Sequence, residues 1–204
     1  MSILLQSKVF CSYAPGAGKT TSMLLSARNE EKIGRIVSYD FIYDTGRPLP
    51  VEKTWTSRNA HLDPERIISR HPEISVIDEL MMKNEFDRKP IYKTVQLLAN
   101  NGISVFSSTN LIHVSSINRR YRALARIHST ISVEDDVFLQ LGKIIFIDPD
   151  PDQLLDRYKA PDLFPEHNLE FRFTLSRERL AACRFICLEY LSSLKPSQYE
   201  IRHV

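Results

Sequence analysis

Short apolar runs alternate with longer amphipathic ones through most of this 204-residue chain. "SKVFCSYAP" is apolar and bounded by Pro15, which predicts a buried strand running into a loop. "KTTSMLLSARNEE" follows, with Met23, Leu24 and Ala27 falling on one face of a helix. "GRIVSYDFIYD" reads as a second strand, closed by "TGRPLP", where Gly46, Pro48 and Pro50 forbid regular structure. The chain is then irregular through Arg58, and Trp55 has no place in the pattern. In "DPERIISRHP" the N-cap is Asp63, Pro64 takes the first helical position and Glu65 the first turn, so a short helix is predicted that Pro72 ends.

"EISVIDEL", "ISVFSSTN" and "KIIFIDP" are further strands. "KPIYKTVQLLANNG", closed by Gly102, is a helix, and "HVSSINRRYRALARI" and "PDQLLDRY" are helical in pattern. "SRERLAACRFICLEYL" is a long amphipathic helix with Ser176 as N-cap. Strands that are apolar on both faces and alternate with helices predict an α/β fold, a parallel sheet with helices on both faces. A single domain over 1–204 is expected, with a core at 1–148 and a helical C-terminal part at 149–204. The Pro-bearing zones 45–58 and 148–167 are too short to divide the chain, and 160–168 hands it to a C-terminal helical lid or dock.

Composition adds only exclusions. With 43% hydrophobic and 25% charged residues the chain has a globular profile, and its length allows roughly 70% of its unfolded surface to be buried. A net charge of +2 makes no case for nucleic acid. No apolar run approaches the roughly 20 residues of a membrane helix, so no direct membrane insertion is expected. Residues 1–6 have neither the basic nor the apolar region of a signal peptide. Cys11, Cys183 and Cys187 are odd in number and lack a Cys-x-x-Cys pattern, which fits buried, reduced thiols in a cytoplasmic protein.

The chemistry concentrates in "YAPGAGKTT". A phosphate-cradling loop of the Walker type has Gly five places before Gly18, and here Tyr13 stands there. Gly16 and Gly18 supply the positive φ that a tight anion nest needs, and Pro15 fixes φ on the approach. Pro15, Gly16, Ala17, Gly18, Lys19, Thr20 and Thr21 form the candidate phosphate cradle, Pro15 shaping the approach and the others offering backbone N–H groups. Lys19 would reach the β- and γ-phosphates of ATP, and Thr20 would hold Mg²⁺. The bland alternative is a glycine-rich turn whose Lys19 points into water.

Two downstream strand ends complete the constellation. In "ISVIDEL", Asp78 would hold Mg²⁺ through water, and Glu79 could orient or deprotonate an attacking water. In "ISVFSSTN", Asn110 would set an amide near the γ-phosphate. Each also has a structural alternative, surface acids in a loop or a plain strand-to-turn transition. Together they point to a P-loop NTPase-like fold with catalytic candidates Glu79 and Asn110 and metal-binding candidates Thr20 and Asp78.

Other features stay open. Arg119, Arg122 and Arg126 share a predicted helical face beside Arg120, either solvated or turned toward a partner. His113 would line the site or orient the following helix. Cys183 and Cys187, one turn apart, suit core packing. His61, His71 and His128 have no metal spacing.

Five stretches resemble the N-terminal cytoplasmic domain of the KdpD sensor histidine kinase family: "KVFCSYAPGAGKTTSML", "RHPEISVIDEL" with Asn84 beyond it, "LLANNGISVFSSTNLIHVSSIN", "IIFIDPDPDQLLDRY" and, more loosely, "LAACRFICLEYL". The run from Asn110 through His113 to Asn118 is the most specific, and the family also lacks Gly at the position of Tyr13. The chain departs from the family in "YDFIYDTGRP", which keeps Asp44, Thr45, Gly46 and Arg47 without the family's His. It departs again at Met82, where the family has His, and in the short loop "EFDRKP".

The resemblance implies an ATP·Mg²⁺-binding regulatory domain of a potassium- and osmosensing two-component kinase, on the cytoplasmic side of an inner-membrane protein. It implies downstream kinase or receptor domains, or a KdpD-like partner protein, and leaves a homodimer open. The chain itself has no phospho-accepting His segment or catalytic lobe, so it is a piece of a kinase or a free-standing relative. The alternative reading is a stand-alone P-loop ATPase, or a small-molecule kinase with an acceptor pocket at 40–47. A protein-interaction module with a structural nucleotide is a third.

Overall fold

A computed structural model describes residues 7–44, 46, 49–50, 56–126, 129–159 and 176–204. Thr45, Arg47, Pro48, Trp55, His128 and the handover at 160–168 lie outside the described residues.

The strands are β1 (Lys8–Ser12), β2 (Val37–Tyr43), β3 (Thr56–Ser57), β4 (Ile74–Ile77), β5 (Ser104–Asn110), β6 (Lys143–Asp148) and β7 (Tyr199–His203). The helices are α1 (Lys19–Lys32), α2 (Pro64–Ser69), α3 (Ile91–Asn100), α4 (Ser115–Leu124), α5 (Asp135–Leu139), α6 (Pro151–Lys159) and α7 (Arg177–Ser192). The strands form one sheet in the order β3-β2-β4-β5-β1-β6-β7. Every pairing is parallel.

The alternation of side chains along each strand sorts the apolar residues into two clusters. Phe10, Val76, Ile145 and Ile147 point to the face covered by α1, where Met23, Leu24 and Ala27 meet them. Val9, Cys11, Ile77, Ile144 and Phe146 point the other way, onto residues of α3, α4, α6 and α7. A strand buried on both faces reads as a continuous apolar run, which is why these strands stand out in the sequence. The side chain of Asp63 caps α2, accepting from the N–H groups of Glu65 and Arg66. Ser176 caps α7 by accepting from Arg179.

The C-terminal part carries the expected long helix and also β7, a strand the pattern does not announce. β7 pairs with β6 at the sheet edge, where its residues are half-buried, so it shows no buried face. The described part of 149–204 is therefore helical only up to the last strand. The predicted helix "HVSSINRRYRALARI" is also shorter than its pattern. It starts as a 3₁₀ turn at Leu111–His113, and α4 ends at Leu124. Arg126 lies beyond it with φ 57°, so Arg119, Arg122 and Arg126 do not share one helical face. The chain turns back here because Val133 bridges to Val114. No described helix is long and apolar enough to cross a membrane.

Candidate functional site

In a parallel sheet all strands end on one side, and the following helices start there; that edge collects polar groups and helix N-termini. Here β1 ends at Ser12, β4 delivers Asp78 and Glu79, and β5 ends at Asn110. β5 lies between β1 and β4, with Ser12 in register with Asn110. The three segments singled out in the sequence therefore meet along one edge.

Tyr13, at the irregular position of the loop, is an anchor. It is 2% exposed, its ring faces Phe146, and its hydroxyl donates to the Pro149 carbonyl at 2.8 Å. A glycine there would leave a void between the loop and β6. The turn itself is made by Gly16 at φ 75° and Gly18 at φ 91°, conformations that cost other residues strain. Gly18 is the N-cap of α1 and supplies no side-chain cap, and no acid sits in the first turn. The first amides of a 14-residue helix thus face the loop uncapped, which suits an anion.

Lys19 is 6% exposed, so it does not point into water. Thr20 Oγ1 lies 3.3 and 3.2 Å from the two carboxyl oxygens of Asp78. Asp78 is fully buried; its Oδ1 also accepts from the Ser108 hydroxyl, and its Oδ2 from the Tyr43 N–H at 3.4 Å. Burial pushes its carboxyl upward, opposed by the Ser108 hydroxyl, the Lys19 charge and Thr20. Burial also pushes Glu79 up to about 7, with the Asp78 charge adding to it and Lys19 opposing. Glu79 sits at φ 48°, in the left-handed region where a residue other than glycine stores strain. Asn110 Oδ1, at the end of β5, is buried with no hydrogen-bond partner among the described residues.

His113 contacts the segment that returns after α4. Its Nδ1 lies 3.0 Å from the Ile131 carbonyl and 3.0 Å from the Ser129 hydroxyl. Asn118 pairs with the backbone of Ser129, donating to its carbonyl at 2.8 Å and accepting from its N–H at 3.1 Å. His113 and Asn118, both within the Asn110-to-Asn118 run, therefore latch the returning segment. Arg120 pairs with Glu189 of α7. Arg119 and Arg122 line a shallow groove of about 360 Å³ with Ser115, Asn118, Ser132 and Glu134. Cys183 and Cys187 are buried free thiols; burial pushes Cys183 up to about 12, so neither is poised as a thiolate.

Sequence reasoning missed the groups that hold the loop from behind. Tyr121 donates to the Tyr13 carbonyl at 2.9 Å, and Tyr158 to that of Pro15 at 2.7 Å. Asp148, at the end of β6, accepts a two-pronged bond from Arg184 at 2.6 and 2.7 Å and faces His203 at 3.2 Å. The one available signal was Tyr121 and Tyr158, each inside an otherwise polar helical stretch, since a buried Tyr hydroxyl needs a partner.

The sequence matches the family model for the osmosensitive K⁺ channel His kinase sensor domain, KdpD, over residues 5–193. Similar curated proteins are sensor proteins KdpD. One from Clostridium acetobutylicum is 28% identical over 198 residues, covering 89% of this chain and 22% of the relative. One from Mycobacterium tuberculosis H37Rv is 24% identical over 205 residues, covering 92% and 24%. One from Escherichia coli K12 is 27% identical over 173 residues, covering 77% and 19%. This chain spans roughly a quarter or less of the length of each of these relatives. Matched along nearly its whole length, it belongs to the KdpD family of osmosensitive K⁺ channel His kinase sensor domains.

Proposed function

We propose that this domain binds Mg²⁺·ATP at its glycine loop and acts as a nucleotide-reading regulatory module of a KdpD-type sensor kinase. The observation that carries the reading is the meeting of Thr20 with the buried Asp78 beneath an uncapped helix N-terminus. A buried carboxylate and a hydroxyl are the oxygen donors that Mg²⁺ takes alongside phosphate and water. The residues present therefore fit the group. Thr20 and Asp78 would hold the ion there, and it would offset the negative charge of the phosphates.

The chain's own residues divide the remaining work. The amides of Gly16, Ala17, Gly18, Lys19, Thr20 and Thr21 would hold the phosphates, with Pro15 setting the turn, and the Lys19 ammonium would offset their negative charge. Asn110 Oδ1, an acceptor with no partner among the described residues, would take a hydrogen from a water beside the terminal phosphate. Occupancy would reposition a surface for the kinase or receptor domains that follow, or for a partner chain.

One observation favours slow hydrolysis as a second reading. Glu79 is strained and half-buried, and its carboxyl is raised to about 7, which suits a group that accepts a proton near neutrality. Small-molecule kinase activity is less favoured. Asp40 is the extra residue of a bulge between Tyr39 and Phe41. Its carboxyl is already engaged by Ser38, Ser75 and Arg70, which leaves it little freedom to activate an acceptor.

The test is calorimetric titration with ATP, ADP and a non-hydrolysable analogue, with phosphate release followed in parallel. Glu79→Gln is expected to keep ATP affinity within about threefold while any release falls at least about tenfold. Unchanged release in that variant would remove Glu79 from the chemistry.

A further inference from the structure

Glycine lets the loop close, but it also lets each peptide plane flip at little cost. An anion nest needs the N–H edges facing the anion; a flipped plane would present a carbonyl oxygen and repel it. Some other part of the molecule must choose the orientation. Three loop carbonyls, those of Tyr13, Pro15 and Gly16, are in fact taken by side chains from distant elements. Tyr121 of α4 donates to the Tyr13 carbonyl at 2.9 Å. Tyr158, in the last turn of α6, donates to the Pro15 carbonyl at 2.7 Å. Arg157 Nη1 approaches the Gly16 carbonyl at 3.4 Å.

In a trans peptide the carbonyl and the following N–H belong to one plane and point in opposite directions. Holding the Pro15 carbonyl toward α6 therefore turns the Gly16 N–H away from it. Holding the Gly16 carbonyl does the same for the Ala17 N–H. We propose that Tyr158 and Arg157 are positioning residues of the loop, fixing the Gly16 and Ala17 amides in the orientation that receives an oxyanion. The inference rests on the phosphate-binding reading of the loop and adds residues outside the motif to it.

The strap is built into the fold. Tyr158 is 7% exposed and Tyr121 1% exposed, so their rings are fixed by packing and their hydroxyls cannot wander. α6 packs against α7, so the position of the C-terminal helix bears on the loop through α6.

The experiment uses this chain with inorganic tripolyphosphate and ATP, each titrated in the calorimeter. Tyr158→Phe keeps the ring and removes only the donor. It is expected to weaken both ligands about five- to tenfold, and Arg157→Gln about two- to fivefold. Melting temperatures of the free proteins should stay within about 3 °C of the parent. Arg177→Ala, which breaks only the exposed pair with Asp152 on α6, should leave both affinities unchanged. The Gly16 and Ala17 amide proton resonances should shift downfield on tripolyphosphate binding in the parent, and less in Tyr158→Phe. A merely structural role for Tyr158 would lower the melting temperature and leave affinities and amide shifts alone. If the parent binds neither ligand, the phosphate-binding reading falls and this inference with it. If the parent binds and both variants bind equally well, only this inference falls. Arg157→Gln carries the same comparison should Tyr158→Phe fail to fold.

Discussion

Lys19→Ala is expected to reduce ATP affinity by about 2–4 kcal/mol, roughly 30- to 900-fold. The size follows from burial. Lys19 is 6% exposed, so its ammonium works where water screens it little. Its charge also opposes the upward push on the Asp78 and Glu79 carboxyls. The truncation therefore leaves two close acids uncompensated, and they would repel the phosphates in addition to losing their partner. Lys19→Met keeps the aliphatic stem and separates packing from charge; it should lose nearly as much affinity as the alanine variant. Calorimetry on both variants, with melting temperatures recorded beside it, decides the matter. Affinity retained in both would leave the loop as a turn.

Arg184→Ala is expected to cost about 2–4 kcal/mol of stability and lower the melting temperature by roughly 5–12 °C. Asp148 has no exposed side-chain surface, and Arg184 binds both of its oxygens at 2.6 and 2.7 Å. With the guanidinium gone, the side-chain partner left to the buried carboxylate among the described residues is His203 at 3.2 Å, itself 75% exposed. A buried charge that loses its hydrogen-bonded partner is among the few single changes with so large an effect. The estimate sits below the usual range for buried pairs because Arg184 is one-third exposed. Arg177→Ala is the contrast. Its pair with Asp152 is more than half exposed on both sides, and its removal should leave the melting temperature close to that of the parent. Scanning calorimetry on the two variants checks this; equal melting temperatures would show that the Asp148 clasp contributes nothing.

The strands β1, β4 and β6 were legible because burial on both faces leaves a largely apolar signature, and β5 because Ile103, Val105 and Phe106 mark its start. The caps Asp63 and Ser176 were legible because capping chemistry is local. β7 was not, since "YEIRH" lies at an edge and carries Glu200, Arg202 and His203. Two residues of β3 and five of α5 are too few for any period to show. In the candidate site the same division holds. Gly16, Gly18, Lys19 and Thr20 are neighbours in sequence, so their joint chemistry can be read from spacing alone. The Asp78 and Asn110 positions follow from where apolar runs end in polar residues. The strap is different: Tyr158 reaches Pro15 across 143 positions and Tyr121 reaches Tyr13 across 108. Nothing local marks those tyrosines as partners of the loop, because the fold alone brings them there. Tyr13 explains itself only in the structure, where its ring fills the space against Phe146.

The central claim is that loop amides hold a triphosphate while Thr20 and Asp78 secure its magnesium. Titrating ATP into the parent chain and into Asp78→Asn, each with Mg²⁺ and with a chelator, tests it most directly. Asparagine keeps the size of Asp78 and an oxygen for Thr20 and Ser108, so the variant should fold. The account predicts that chelation weakens the parent roughly tenfold or more and scarcely changes the variant. Parent affinity that ignores Mg²⁺, or a variant that keeps the full Mg²⁺ dependence, would contradict it.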